Sequence, residues 1–156
     1  MATDVYSPTT TMLDSALLDI AQRRIDVDME DRRTAFQRDI RERTHRLAAR
    51  GALQSGFARQ ELLECIEAES RIRALLIWQA LSRSLSGAPL DLDPGVGDDT
   101  KAFVTQALHG ATDDLRKQLE SVERATGGLG GRGSVEEFNA RAVAHVSVEV
   151  DFSVLD

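Results

Sequence analysis

Aromatic residues are scarce in this chain, with one Trp, one Tyr and five Phe. Any core must therefore be mostly aliphatic, with modest packing specificity. Cysteine is almost missing as well. Cys65 stands alone, which excludes an intramolecular disulfide, and no CxxC or Cys/His spacing around it suits a metal. A reducing, cytosolic setting is the expectation. No stretch approaches the ~20 apolar residues of a membrane span. The opening MATDVYSPTTTMLDSALLDIA carries acids where a signal peptide needs bases. Localisation is thus read as cytoplasmic, or as incorporation into a particle assembled in the cytoplasm. Positive charge is in deficit: the formal net charge of −7 argues against a general binder of nucleic acid or anionic membrane.

What the sequence does have is helical periodicity. Its 156 residues suit one domain with a real core. The longest apolar-rich stretch is Glu61 to Leu85, ELLECIEAESRIRALLIWQALSRSL. At about 100° per residue, Leu62, Leu63, Ile66, Ile77, Ala80 and Leu81 share one face. Ile72, Leu75 and Trp78 fall on its other sides, so this helix is sandwiched either within its own chain or against another subunit. Glu69 and Arg73 interrupt the first face at i,i+4 spacing and read as a register-setting pair.

Before it, residues 1–11 read as a flexible arm. A first helix begins near Thr11 or Asp14 and runs to Arg50. Its seam of Leu18, Ile25, Met29, Phe36, Ile40 and Leu47 is spaced by 7, 4, 7, 4 and 7 residues, close to the period of a straight helix. GALQSG, between Gly51 and Gly56, supplies a turn, and Ser55 a cap for the next helix. An antiparallel hairpin results.

After Ser86, GAPLDLDPGVGDD reads as a solvated loop. It fails as a calcium loop because Gly95, Val96 and Ala102 stand where ligands and the required glycine belong. Asp98, Asp99 or Thr100 caps a third helix whose seam is Val104, Leu108, Ala111, Leu115, Leu119 and Val122. Gly110 permits a kink there. The glycine-rich segment 127–133 is a linker. It lacks the preceding strand and Gly-Lys-Ser/Thr ending of a phosphate loop. Ser134 and Glu137 form a capping box for a short helix, SVEEFNARA. Finally Val146, Val148, Val150, Phe152 and Val154 alternate with polar residues, which predicts a β-strand.

The domain plan is therefore an arm at 1–11, a helical bundle at 12–126, a linker at 127–133, and a short helix with an assembly strand at 134–156. The predicted fold is a mainly α bundle of three long helices and a short fourth, with one C-terminal strand pairing outside it. In arrangement, and not in any motif, this plan resembles accessory and assembly subunits of phage-like particles.

No catalytic constellation is visible. His45, His109 and His145 sit in different segments, and no GxSxG or HExxH pattern frames them. Glu42-x-x-His45 has the spacing of a di-iron half-site, but both residues face away from the Ile40 seam and no second copy occurs. No catalytic residue, cofactor or metal is predicted. The only nucleic-acid candidate is the arginine-rich half of the first helix, with Arg38, Arg41, Arg43, Arg46 and Arg50 as possible phosphate contacts. The acidic opening of the next helix can neutralise it. The expected function is a non-enzymatic structural or assembly protein, a homo-oligomer or a subunit of a larger complex. Its interface would use Ile72, Leu75, Trp78, Val146, Val148, Val150, Phe152 and Val154. A nucleic-acid-associated regulator is the alternative.

Overall fold

The computed structural model describes residues 15–86, 94–127 and 133–155, with side chains at 15–86, 97–127 and 133–148. The predicted arm at 1–11 lies outside the described residues, as does most of the linker. Five helices occupy the described chain: α1 (Ser15–Ala49), α2 (Gly56–Leu85), α3 (Pro94–Gly110), α4 (Asp113–Ala125) and α5 (Val135–Leu155).

The α1–α2 turn follows from its glycine. Gly51 takes φ 66°, the left-handed conformation that only glycine adopts without a Cβ penalty. Ala52 N–H then donates to the Leu47 carbonyl at 2.9 Å and Gly51 N–H to Ala48 at 3.0 Å, closing α1 with a Schellman motif. Ser55 caps α2, its hydroxyl accepting from Ala58 N–H at 3.1 Å. At the start of α3, Pro94 occupies the first helical position, where its missing N–H costs nothing. The helix therefore begins earlier than the acid-rich cap predicted at 98–100, and Thr100 is buried within it.

α2 is the central element. α1, α3, α4 and α5 all pack on it, and α3 also lies against α5. The α3–α4 line and α1 run antiparallel to α2, while α5 runs parallel to it, as the shared cores show. One apolar core joins Ile25 and Met29 of α1 to Ile77 and Leu81 of α2, Val104 and Leu108 of α3, and Ala142 and Val146 of α5. The other joins Phe36 and Ile40 to Leu62 and Ile66, Leu115 and Leu119 of α4, and Val135 and Phe138 of α5.

The predicted C-terminal strand is absent: residues 135–155 form one continuous helix, and the described residues contain no β-strand. The short fourth helix is thus a long one. The reason is arithmetic. Residues that alternate with period two contain a subset with period four, and here that subset continues an existing stripe. Val135, Phe138, Ala142 and Val146 are buried in sequence along α5, at helical spacing against a core that only a helix reaches. Burial on this stripe overrides the β preference of the valines. The two neighbours separate accordingly, since Val146 is 3% exposed and Val148 is 54% exposed. A strand would have put both on one face. The side chains of Val150, Phe152 and Val154 lie outside the described ones. With the strand goes the feature on which the likeness to particle subunits rested.

Helix and strand give different mutational signatures here. Val146→Asp buries an unpaired carboxylate and is expected to cost roughly 3 kcal/mol or more. Val148→Asp should change stability by no more than about 0.5 kcal/mol. Urea denaturation of the two variants measures the difference, and equal losses would contradict the helical register.

Candidate functional site

The two cores are separated by a polar layer to which every line of the bundle contributes. Glu69, Ser70 and Arg73 come from α2, Arg32 from α1, Thr112 and Asp114 from the α3–α4 junction, and Asn139 from α5. Arg73 is wholly buried at its centre. Its Nε donates to Glu69 at 2.9 Å. Nη1 and Nη2 grip Asp114 in a fork at 2.6 and 2.9 Å. Nη1 also reaches the Ala111 carbonyl at 2.7 Å, and the Phe36 ring centroid lies 5.8 Å from the guanidinium. On the far side of Glu69, Arg32 donates through Nε at 3.2 Å and forms a second close contact through Nη2. Two guanidinium groups and two carboxylates thus cancel.

The same layer explains why the predicted third helix is two. Leu115 N–H donates to Thr112 at 3.1 Å instead of reaching back to Ala111, so the Ala111 carbonyl is released from the helical ladder. Arg73 takes it. The Thr112 hydroxyl donates to the Leu108 carbonyl at 2.9 Å and accepts from Asn139 Nδ2 at 2.9 Å, tying the break to α5. All six residues of the predicted seam, Val104 to Val122, are buried on both sides of it. Burial alone would favour loss of the Arg73 proton. The hydrogen bonds to Asp114 and Glu69, with their charges, outweigh it and hold the guanidinium above its ordinary value.

This layer is structural, since no substrate can reach Arg73. Sequence reasoning found the Glu69–Arg73 pair from its spacing but missed Arg32 and Asp114. They sit 37 and 41 residues from their partners, and no local pattern links them.

Other candidate chemistry is dispersed. Between α1 and α3 lies a groove of about 590 Å³ with Ile25, Met29 and Phe103 among its apolar lining. On its polar rim Gln22 donates to Asp26 at 2.9 Å, and Arg33 pairs with Glu30 at 3.7 Å. Glu42, His45, His109 and His145 are all exposed. His109 Nδ1 lies 3.0 Å from Arg116, which also pairs with Asp113 and with Glu136 of α5. No cluster of three or more metal-ligating side chains occurs among the described residues. Burial pushes the Cys65 thiol up to about 11, with Arg43 opposing and Asp39 adding to the shift, so it is a poor nucleophile.

Of the five arginines named from α1, Arg43, Arg46 and Arg50 fall within about 60° of one another around the helix, and Arg38 lies about 80° from Arg46. Arg43 is held by Asp39 at 3.2 Å and lies 3.8 Å from Glu61 of α2, as expected from folding back across the turn. Arg38, Arg41, Arg46 and Arg50 are exposed and have no ion pair among the described residues. Arg41 is turned about 140° from Arg46 and about 180° from Arg50 around the helix, so it alone leaves the side that the others share.

The remaining candidate is the side of α2 opposite the polar layer. Ile72 and Leu75 are 41% and 38% exposed there. Trp78, three residues on from Leu75, is half-buried and packs against the core. Val148 of α5 is exposed, and Val146 is core. No helix among the described residues is long and apolar enough to cross a membrane. Comparison with known proteins gives no assignment: no family model, no curated protein and no solved structure matches this chain.

Two outcomes are expected. Asp114→Ala strips the fork from a wholly buried guanidinium and should cost about 3–5 kcal/mol, whereas Arg32→Ala, at the partly exposed end, should cost about 1 kcal/mol; chemical denaturation measures both. Cys65 should alkylate on the order of 100-fold more slowly at pH 8 in the native protein than in urea, because a raised thiol pKa depletes thiolate below it. Its native rate should keep rising with pH towards about 11.

Proposed function

We propose that this chain is a non-enzymatic assembly protein that docks onto another protein surface by helix packing through the outer face of α2. The observation that carries this reading is the exposure of Ile72 and Leu75 at the middle of the helix on which the whole bundle is built. α2 is the most constrained element of the fold, so a contact made there engages a rigid surface and loses little conformational freedom on binding. Scattered apolar residues such as Ile20, Val27 and Phe57 are also exposed, which is ordinary for a protein surface. Ile72 and Leu75 differ in lying three residues apart on one helix face. The net charge of −7 and the engagement of Arg43 by Asp39 and Glu61 weigh against a nucleic-acid role, and a cytoplasmic setting fits a chain with a single cysteine.

Sedimentation velocity tests the reading. The wild-type chain, purified or returned to an extract of its source cells, should enter a species heavier than the monomer. Leu75→Glu, on an exposed site, should keep its helical circular dichroism and lose that species in both settings. A wild-type chain that remains monomeric in both would overturn the proposal.

A further inference from the structure

One stripe on the outer face of α2 has the same spacing from both ends. Six of its exposed positions, Glu64, Ala68, Ile72, Leu75, Gln79 and Arg83, are spaced by 4, 4, 3, 4 and 4 residues, symmetric about the midpoint between Arg73 and Ala74, with Gln60, Arg71 and Ser82 exposed beside them. The six lie within about 100° of one another around the helix. A two-fold contact between identical surfaces sets residue i against j and j against i, and a helix meeting its own copy antiparallel needs this reversal. Resting on the reading that the α2 face docks, we infer that its partner is a second copy of this chain, packed as an antiparallel α2–α2 dimer.

The charges select that direction. Within one chain, Glu61 lies 3.8 Å from Arg43, Arg71 is 3.4 Å from Glu67, and Arg141 of α5 is 2.9 Å from the same Glu67. Glu69 and Arg73 are spent in the polar layer. Glu64 and Arg83 stand apart from these. Glu64 accepts only a neutral hydrogen bond from Gln60, at 2.9 Å, and Arg83 has no ion pair among the described residues. They occupy the two ends of the stripe, about 28 Å apart at helical rise. Antiparallel pairing brings Glu64 against Arg83 of the partner subunit at both ends, closes Ile72 on the partner's Leu75 at the centre, and sets the small Ala68 opposite the partner's Gln79. Parallel pairing would oppose Glu64 to itself and Arg83 to itself. The antiparallel form therefore joins two charges that have no ion pair among the described residues and covers the exposed apolar pair at once.

Two half-exposed apolar residues and exposed ion pairs make a small interface, below the size of stable complexes, so dissociation is expected at micromolar concentrations and to be promoted by salt. Sedimentation equilibrium of the purified chain and its variants tests the inference. Wild type should fit a reversible dimer. Glu64→Arg and Arg83→Glu should each weaken it by about tenfold, because each creates two like-charge contacts. The double variant Glu64→Arg with Arg83→Glu should return to within about threefold of wild type. Circular dichroism of every variant guards against misfolding, and Leu75→Glu, which needs no charge swap, should be monomeric. Purified wild type that stays monomeric, or a double variant that fails to recover, overturns the dimer. A purified monomer that still enters a heavier species in extract through Leu75 overturns self-pairing and leaves α2 docking in place, whereas a monomer in both settings removes both.

Discussion

Everything in this bundle is arranged around one guanidinium that has no access to water. Burying Arg73 removes it from a solvent that would satisfy all its donors, so the protein must supply acceptors from several directions. Glu69 comes from one turn earlier on the same helix, Asp114 from the start of α4, and the Ala111 carbonyl from the break between α3 and α4. The break is thus not a defect in a long helix. It releases the main-chain oxygen that the buried cation requires, and Thr112 and Asn139 fasten it to α5.

Relative to an apolar replacement, such a layer adds little net stability. It acts instead on what the sequence is prevented from doing. α2 carries apolar residues on several sides, and on hydrophobicity alone it could rotate or slide by a turn with modest loss. Any such movement would leave a charge of the Arg32–Glu69–Arg73–Asp114 set buried without its partner. Rotation and axial position are fixed together, and with them the face that α2 presents outward. The stripe from Glu64 to Arg83 is outside because the charged set is inside.

The legible parts of this fold were those encoded locally. The seam of α1 could be read from spacing, apart from Ala21 replacing Leu18 as the buried residue near its start. The Gly51 turn and the Ser55 cap were legible because each depends on a single residue with a known backbone requirement. What failed was the end of the chain, where alternation in Val146 to Val154 satisfied two periods at once and only contacts with Ile77 and Leu81 could choose between them. Arg32 and Asp114 were illegible for a related reason: a surface arginine and a helix-opening aspartate are ordinary until the fold brings them to Arg73. Of the predicted interface, the α2 residues Ile72 and Leu75 are on the surface, whereas Val146 was assigned to a face that does not exist.

The polar layer also partitions the interior. Phe36, Ile66, Leu115 and Phe138 lie on one side of it, and Met29, Ile77, Leu108 and Ala142 on the other. Side-chain volume can be traded among neighbours within a close-packed interior, but not across a sheet of matched charges that cannot move without losing its partners. Each half must therefore balance its own volume. A methylene added near Ile66 has to be removed near Ile66, and the other half is free to drift in sequence as though it belonged to a different protein.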